Sequence, residues 1–68
     1  MDFEKACDTA TRKVLADATP EQAITTIDYA LRRMSVPVET FVLARVAAEL
    51  WPDNERLQEL LEKAKEGL

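Results

Sequence analysis

VETFVLARVAAELW, residues 38–51, is the stretch that decides the fold, because polar side chains interrupt it at only four positions. Those positions are Glu39, Thr40, Arg45 and Glu49. Placed on a helix of 3.6 residues per turn, the apolar side chains cover well over half of its circumference. A chain of 68 residues has little else with which to cover such a helix. The stretch therefore predicts either the centre of a tight helical domain or a surface meant for another chain.

Proline divides the rest of the chain into helices on either side of this stretch. Boundaries fall at Thr19-Pro20, at 35–37 and at 52–54, which predicts helices over about 2–18, 20–34 and 54–67 around the central one. Thr19, Pro20 and Gln22 have the spacing of a capping box with proline at the first helical position. The only glycine, Gly67, suits the end of a last helix. We expect an all-α fold: one four-helix domain over 1–68, with the apolar third helix at its centre.

Helical periodicity assigns an inward face to each of the three outer helices. The first helix carries a shallow apolar face, with Lys5, Asp8 and Arg12 on the opposite side. The second is the most clearly amphipathic, and the fourth adds Glu59 four residues before Lys63, the favourable order for an ion pair. The predicted inward residues are Phe3, Ala6, Cys7, Ala10, Val14 and Ala18 in the first helix; Ala23, Ile24, Ile27, Ala30, Leu31 and Met34 in the second; and Leu57, Leu60, Leu61 and Ala64 in the fourth.

The third helix has a narrow polar edge and, beside it, a line of valines. Arg45 and Glu49 are four residues apart and are predicted to pair. Val38, Val42 and Val46, which we call the valine ridge, run alongside. Either another helix of the chain covers the ridge, or the ridge binds a second copy or another protein.

Aromatic residues give two further candidates for protein contact. Trp51, next to Pro52, is either a plug over the last turn of the core or an exposed anchor. Tyr29 lies on the polar side of the second helix with Arg32 and Arg33, a combination typical of interface hot spots. The alternative is that Tyr29 lies over the stems of its helix neighbours or under the first helix.

Charge and composition disfavour several classes of partner. Thirteen acids against nine bases give a net charge of −4, which disfavours binding to nucleic acid or to an anionic membrane surface. No apolar run approaches the ~20 residues of a membrane span, and no signal peptide is recognisable. Cys7 is the sole cysteine and cannot form an internal disulfide. These features favour a cytoplasmic protein.

Catalytic and ligand-binding signatures do not occur in the sequence. There is no histidine, and a single cysteine cannot provide a zinc site. The only glycine is near the end of the chain, so there is no glycine-rich phosphate loop. We expect neither an enzyme nor a binder of cofactors, metals or small-molecule substrates.

Residues 21–54 resemble a tetratricopeptide helical hairpin. Ile24, Ile27 and Leu31 fall near the apolar positions of that repeat's first helix, and Ala47 and Pro52 match its later small residue and terminal proline. The resemblance implies a scaffold that binds peptides or proteins.

Residues 30–45 resemble, in a competing way, a helix-turn-helix. Ala30, Ser35, Val36 and Phe41 have the spacing of its small, turn and buried positions. This second resemblance implies a transcriptional regulator, although the positions that would read bases carry apolar side chains from Val42 onward, and only Arg45 is basic.

The function that these observations favour is a small protein–protein interaction module: an adaptor, an inhibitor or an accessory subunit. It would act through apolar helix faces, as a homodimer or within a larger complex. The helix-turn-helix regulator is the alternative. The predicted contact residues are Val38, Val42, Val46, Trp51, Tyr29, Arg32 and Arg33.

Overall fold

The computed structural model describes residues 3–33 and 37–67, and these form four α-helices without a strand. The helices are α1 (Phe3–Leu15), α2 (Pro20–Arg32), α3 (Pro37–Leu50) and α4 (Glu55–Glu66). The predicted all-α class and the four helices are confirmed. Met34, Ser35 and Val36, which include one predicted inward residue and two helix-turn-helix positions, lie outside the described residues.

The start of α2 is fixed by the capping box that the sequence predicts. The backbone N–H of Gln22 donates to the Thr19 hydroxyl at 3.2 Å, and the Thr19 N–H donates to Gln22 Oε1 at 3.0 Å. Pro20 occupies the first turn, where its missing N–H has no helical partner to lose. Thr19 therefore ends the α1–α2 turn and begins α2 by local hydrogen bonds alone.

Helix α4 is also bounded by local chemistry. The Leu57 N–H donates to Asn54 Oδ1 at 3.1 Å, and at the other end the Gly67 N–H donates to the Ala64 carbonyl at 3.2 Å. Its surface ion pairs differ from the prediction, because Glu59 pairs with Arg56 at 3.2 Å and not with Lys63. Both side chains of the Glu59–Arg56 pair are exposed, so this change of partner contributes little to the stability of the fold.

The third helix packs against each of the other three. Its buried residues are small or β-branched and lie on several sides of the helix, as expected for an element covered by several neighbours. They are Thr40, Val42, Ala44, Val46, Ala47 and Ala48. The inward faces of α2 and α4 follow their predicted periodicity, with Ala23, Ile27, Leu57, Leu60 and Ala64 buried.

Helix α1 is rotated relative to the prediction. Phe3 and Val14, assigned to the inward face, are 59% and 71% exposed, and Ala6 and Ala10 are exposed as well. The buried residue is Leu15, which the prediction left out. Two causes act together: Leu15 brings a larger apolar side chain to the core than any alanine, and the polar side of α1 pairs with charged residues of α3.

Ile27 gives a direct test of this core, because it is fully buried among side chains of the other helices. Ile27→Asp should unfold the chain, since an unpaired buried carboxylate costs about 3–5 kcal/mol, a large share of a small domain's stability. Thermal melting followed by circular dichroism measures the effect. Tyr29→Asp, an exposed position two residues along the same helix, is the control and should melt near the unmodified chain.

Candidate protein-contact surfaces

The valine ridge is not an open surface. Val42 and Val46 are fully buried within the single chain, and only Val38, 37% exposed, reaches solvent. In this conformation Val42 and Val46 are therefore not accessible to a partner. The other interpretation, that a helix of the same chain covers them, describes what is observed.

Helix α1 is the element that covers the two buried valines. On one edge of its contact with α3, Arg45 and Glu49 pair with α1 side chains; on the other edge, Glu39 and Leu43 line a groove with α1. At 100° per residue, positions 42 and 46 lie between these two pairs of α3 residues. The α1–α3 contact thus consists of a central apolar strip with a charged edge and an apolar edge.

The charged edge is a network of five side chains across the two helices. The Arg45 guanidinium pairs with Glu4 at 2.7 Å and with Asp8 at 3.2 Å. Arg12 pairs with Asp8 and with Glu49, each at 2.6 Å. The predicted pair of Arg45 with Glu49 is therefore replaced, because both residues find opposite charges on α1. A distance of 5.3 Å from the Arg45 guanidinium carbon to the Phe41 ring adds a cation–π contact.

Mutual pairing shifts the pKa values in this network. The pKa of Asp8 lies below its ordinary value, chiefly because Arg12 donates a hydrogen bond to the carboxylate and, after the opposing effect of desolvation, because Arg45 does too. The pKa of Arg45 is raised, with the hydrogen bond to Glu4 as the largest cause. Asp8 and Arg45 therefore stay charged at neutral pH, and their ion pair is present under ordinary conditions.

The apolar edge of the contact faces solvent. A groove of about 290 Å³ lies between α1 and α3 and is lined by Cys7, Ala10, Thr11, Val14, Glu39 and Leu43. Beside it, the outward residues Phe3, Ala6, Ala10 and Val14 form what we call the α1 stripe. The sequence contained its signal, an apolar row at helical spacing, but periodicity alone does not say whether such a row faces the core or the solvent.

Trp51 is half-buried and packs against the core. Its outer side helps to line a groove of about 400 Å³ with Pro20, Leu50, Pro52, Asp53 and Asn54. Leu50 beside it is 42% exposed. Trp51 is thus neither a fully buried plug nor a free anchor. It lies at the opposite end of the 38–51 stretch from Val38, the exposed residue of the valine ridge.

Tyr29 and its arginines form an exposed patch, as the sequence predicts. Tyr29 is 59% exposed, and the Arg33 guanidinium carbon lies 5.2 Å from the centroid of its ring. Arg32, whose side chain is 78% exposed, pairs with Asp28 at 3.1 Å. Asp28 also lies 3.9 Å from Arg56 of α4. We call Tyr29, Arg32 and Arg33 the Tyr29 patch.

Metal-ligating clusters and membrane-spanning helices are both absent from the described residues. Across 3–33 and 37–67, no three side chains of the metal-ligating types come together. No helix in these ranges has the length and apolar content needed to cross a membrane.

Comparison with known proteins returns no neighbour for this chain. No family model matches it, and neither a curated protein nor a solved structure does. The tetratricopeptide-like and helix-turn-helix resemblances remain predictions.

Burial of the valine ridge leads to a first prediction at this site. Val42→Glu combined with Val46→Glu should lower the thermal midpoint strongly, because docking of α1 would bury two carboxylates beside Arg12 and Arg45, which are already paired. Val14→Glu combined with Phe3→Glu introduces the same charges on the exposed stripe and should leave the helical spectrum intact. A Val42/Val46 variant that melts at the temperature of the unmodified chain would mean that α1 does not cover the ridge.

Acid should loosen the charged edge. Because the folded pKa of Asp8 is depressed below its ordinary value of 3.8, its stabilising effect is full above about pH 4 and is lost as the pH falls through the folded pKa. Unfolding by urea at pH 6 and at pH 2.5 measures the loss. Asp8→Asn should show a smaller pH dependence than the unmodified chain; an identical dependence would contradict the role given to Asp8.

Proposed function

We propose that this protein is a protein–protein interaction module whose contact surface is the Tyr29 patch. The observation that carries the proposal is the stacking of Arg33 on an exposed tyrosine ring. Tyrosine and arginine are enriched at interface hot spots, because each offers a large contact area together with directed hydrogen bonds. A pre-stacked pair also loses less side-chain entropy on binding than two free side chains.

Charge indicates the kind of partner that would suit this patch. Arg32 and Arg33 are adjacent cations on a chain whose net charge is −4, so the patch is locally opposite in sign to the protein as a whole. Arg33 forms no ion pair with the described residues, and its guanidinium edge is available for a carboxylate. A partner surface with carboxylates around an apolar centre would satisfy both the arginines and the tyrosine ring.

The alternative, a DNA-reading helix-turn-helix, requires α3 to enter the major groove. The burial of Val42, Ala44 and Val46 weighs against that role, because α1 and α4 pack on the helix that would have to reach the bases. The net negative charge weighs in the same direction. We therefore favour protein contact, either with another protein or in a homodimer.

A pair of matched variants tests the proposal. Tyr29→Ala with Arg32→Ala and Arg33→Ala should abolish capture of a partner from an extract of the protein's own host, with helix content unchanged. Lys5→Ala with Lys13→Ala removes two positive charges elsewhere and should retain the partner. Binding of the captured protein, once purified, is then measured by calorimetry; loss of about 2 kcal/mol or more is expected for the patch variant.

Two results would count against this function. One is equal binding of the purified partner to both variants. The other is sequence-specific binding of the unmodified chain to duplex DNA at moderate salt, measured by fluorescence anisotropy, which would favour the helix-turn-helix alternative.

A further inference from the structure

The first helix has the fewest buried residues of the four helices, although its contact with α3 is extensive. Leu15 is its one buried residue in the described range, whereas α3 has six. Cys7 and Thr11 are half-buried, and the remaining contact with α3 consists of the charged edge and the open apolar edge. Ion pairs with partly exposed side chains contribute little net stability, since solvent already satisfies both charges. Because little of α1 itself is buried, we expect local opening of the fold to begin at this helix.

The surface that α1 covers is an apolar strip with charged residues along one edge. Undocking would uncover Val42 and Val46 together with a cation, Arg45, and an anion, Glu49, at the edge of the same strip. When α1 is docked on α3, which we call the closed state, Arg45 and Glu49 form ion pairs with α1 side chains at a regular spacing. Glu4 and Asp8, four residues apart, face Arg45, and Arg12, four residues further, faces Glu49.

We infer that the Val42–Val46 face of α3 is a binding groove for a partner helix, and that α1 occupies it as a displaceable internal ligand. The partner is an amphipathic helix of another protein with two acids four residues apart, a base four residues later, and a large apolar residue three positions beyond the base, as at Leu15. Charge complementarity identifies this occupant: Arg45 requires acids and Glu49 requires a base at that spacing. The inference does not depend on the Tyr29 patch, which lies on α2.

In the closed state α1 matches the charges of α3 but buries little apolar surface of its own. It presents only Cys7 and Thr11 to much of the groove, so a partner with larger apolar residues at those positions would bury more surface. Meanwhile the α1 stripe, Phe3, Ala6, Ala10 and Val14, is on the outer side in the closed state and stays accessible when α1 leaves. The tethered α1 competes with the partner through its high effective concentration, which sets a threshold for binding.

Hydrogen exchange on the full chain tests whether α1 opens separately. Amides in the middle of α1 should exchange at least about tenfold faster than those of α3 and α4, and the difference should widen in high salt, which screens the charged edge. Equal protection of α1, α3 and α4 at both salt concentrations would overturn the inference, because α1 would then open only when the whole domain unfolds.

A peptide probe tests the groove itself. The probe is a fluorescent peptide of residues 3–15 with Cys7→Ser, added to the full chain carrying Leu15→Ala, which loosens the chain's own α1 without changing the groove. We expect saturable binding, at least about tenfold tighter than to the unmodified chain. If circular dichroism shows the Leu15→Ala chain to be unfolded, the Asp8→Asn chain takes its place.

Charge reversal supplies the control for specificity. A peptide with Glu4→Lys, Asp8→Lys and Arg12→Glu should bind about tenfold more weakly, and a chain with Arg45→Glu and Glu49→Lys should restore its binding. No binding by either peptide to a folded chain, or equal binding by both, would overturn the inference. Sedimentation that shows the unmodified chain to be dimeric through exchange of α1 would overturn the choice of partner and assign the groove to a second copy.

Discussion

Covering the third helix is the constraint on which the rest of the fold depends. Pro37–Leu50 is apolar on most of its circumference, and no single neighbour could bury it. Helices α2 and α4 pack on it and on each other, and α1 closes the remaining side. Because α3 carries Arg45 and Glu49 beside Val42 and Val46, the helix that closes this side has to bring charges as well as apolar surface.

This mixed requirement explains where the sequence was informative and where it was not. The boundaries followed from local chemistry, such as the Thr19 and Gln22 capping box, and local chemistry can be read directly from adjacent residues. The inward faces of α2 and α4 followed from strong periodicity around Ile27 and Leu60. The Tyr29 patch was likewise visible, because Arg33 is one turn from the tyrosine on the same helix.

The rotation of α1 and the fate of the valine ridge could not be read in this way. In α1 many of the apolar residues are alanine, so neither side of the helix offers clearly more apolar area for burial. Leu15 and the ion pairs with α3 determine which side faces the core. Arg45 and Glu49 have the spacing of a helical pair, yet each has better partners that lie 37 or more positions away in the chain. Such contacts depend on topology, which spacing along one helix does not reveal.

The capping box between α1 and α2 also has a consequence for the order of folding. Its two hydrogen bonds join residues only three positions apart, so α2 can form without α1. Helices α3 and α4 follow α2 directly in the chain. The α1–α3 ion pairs close loops of 37 to 41 positions and carry a larger entropic cost. We therefore expect α2, α3 and α4 to form the folding nucleus and α1 to dock after the rate-limiting step. Substitutions in α1 would then act on the rate of unfolding and leave the rate of folding nearly unchanged.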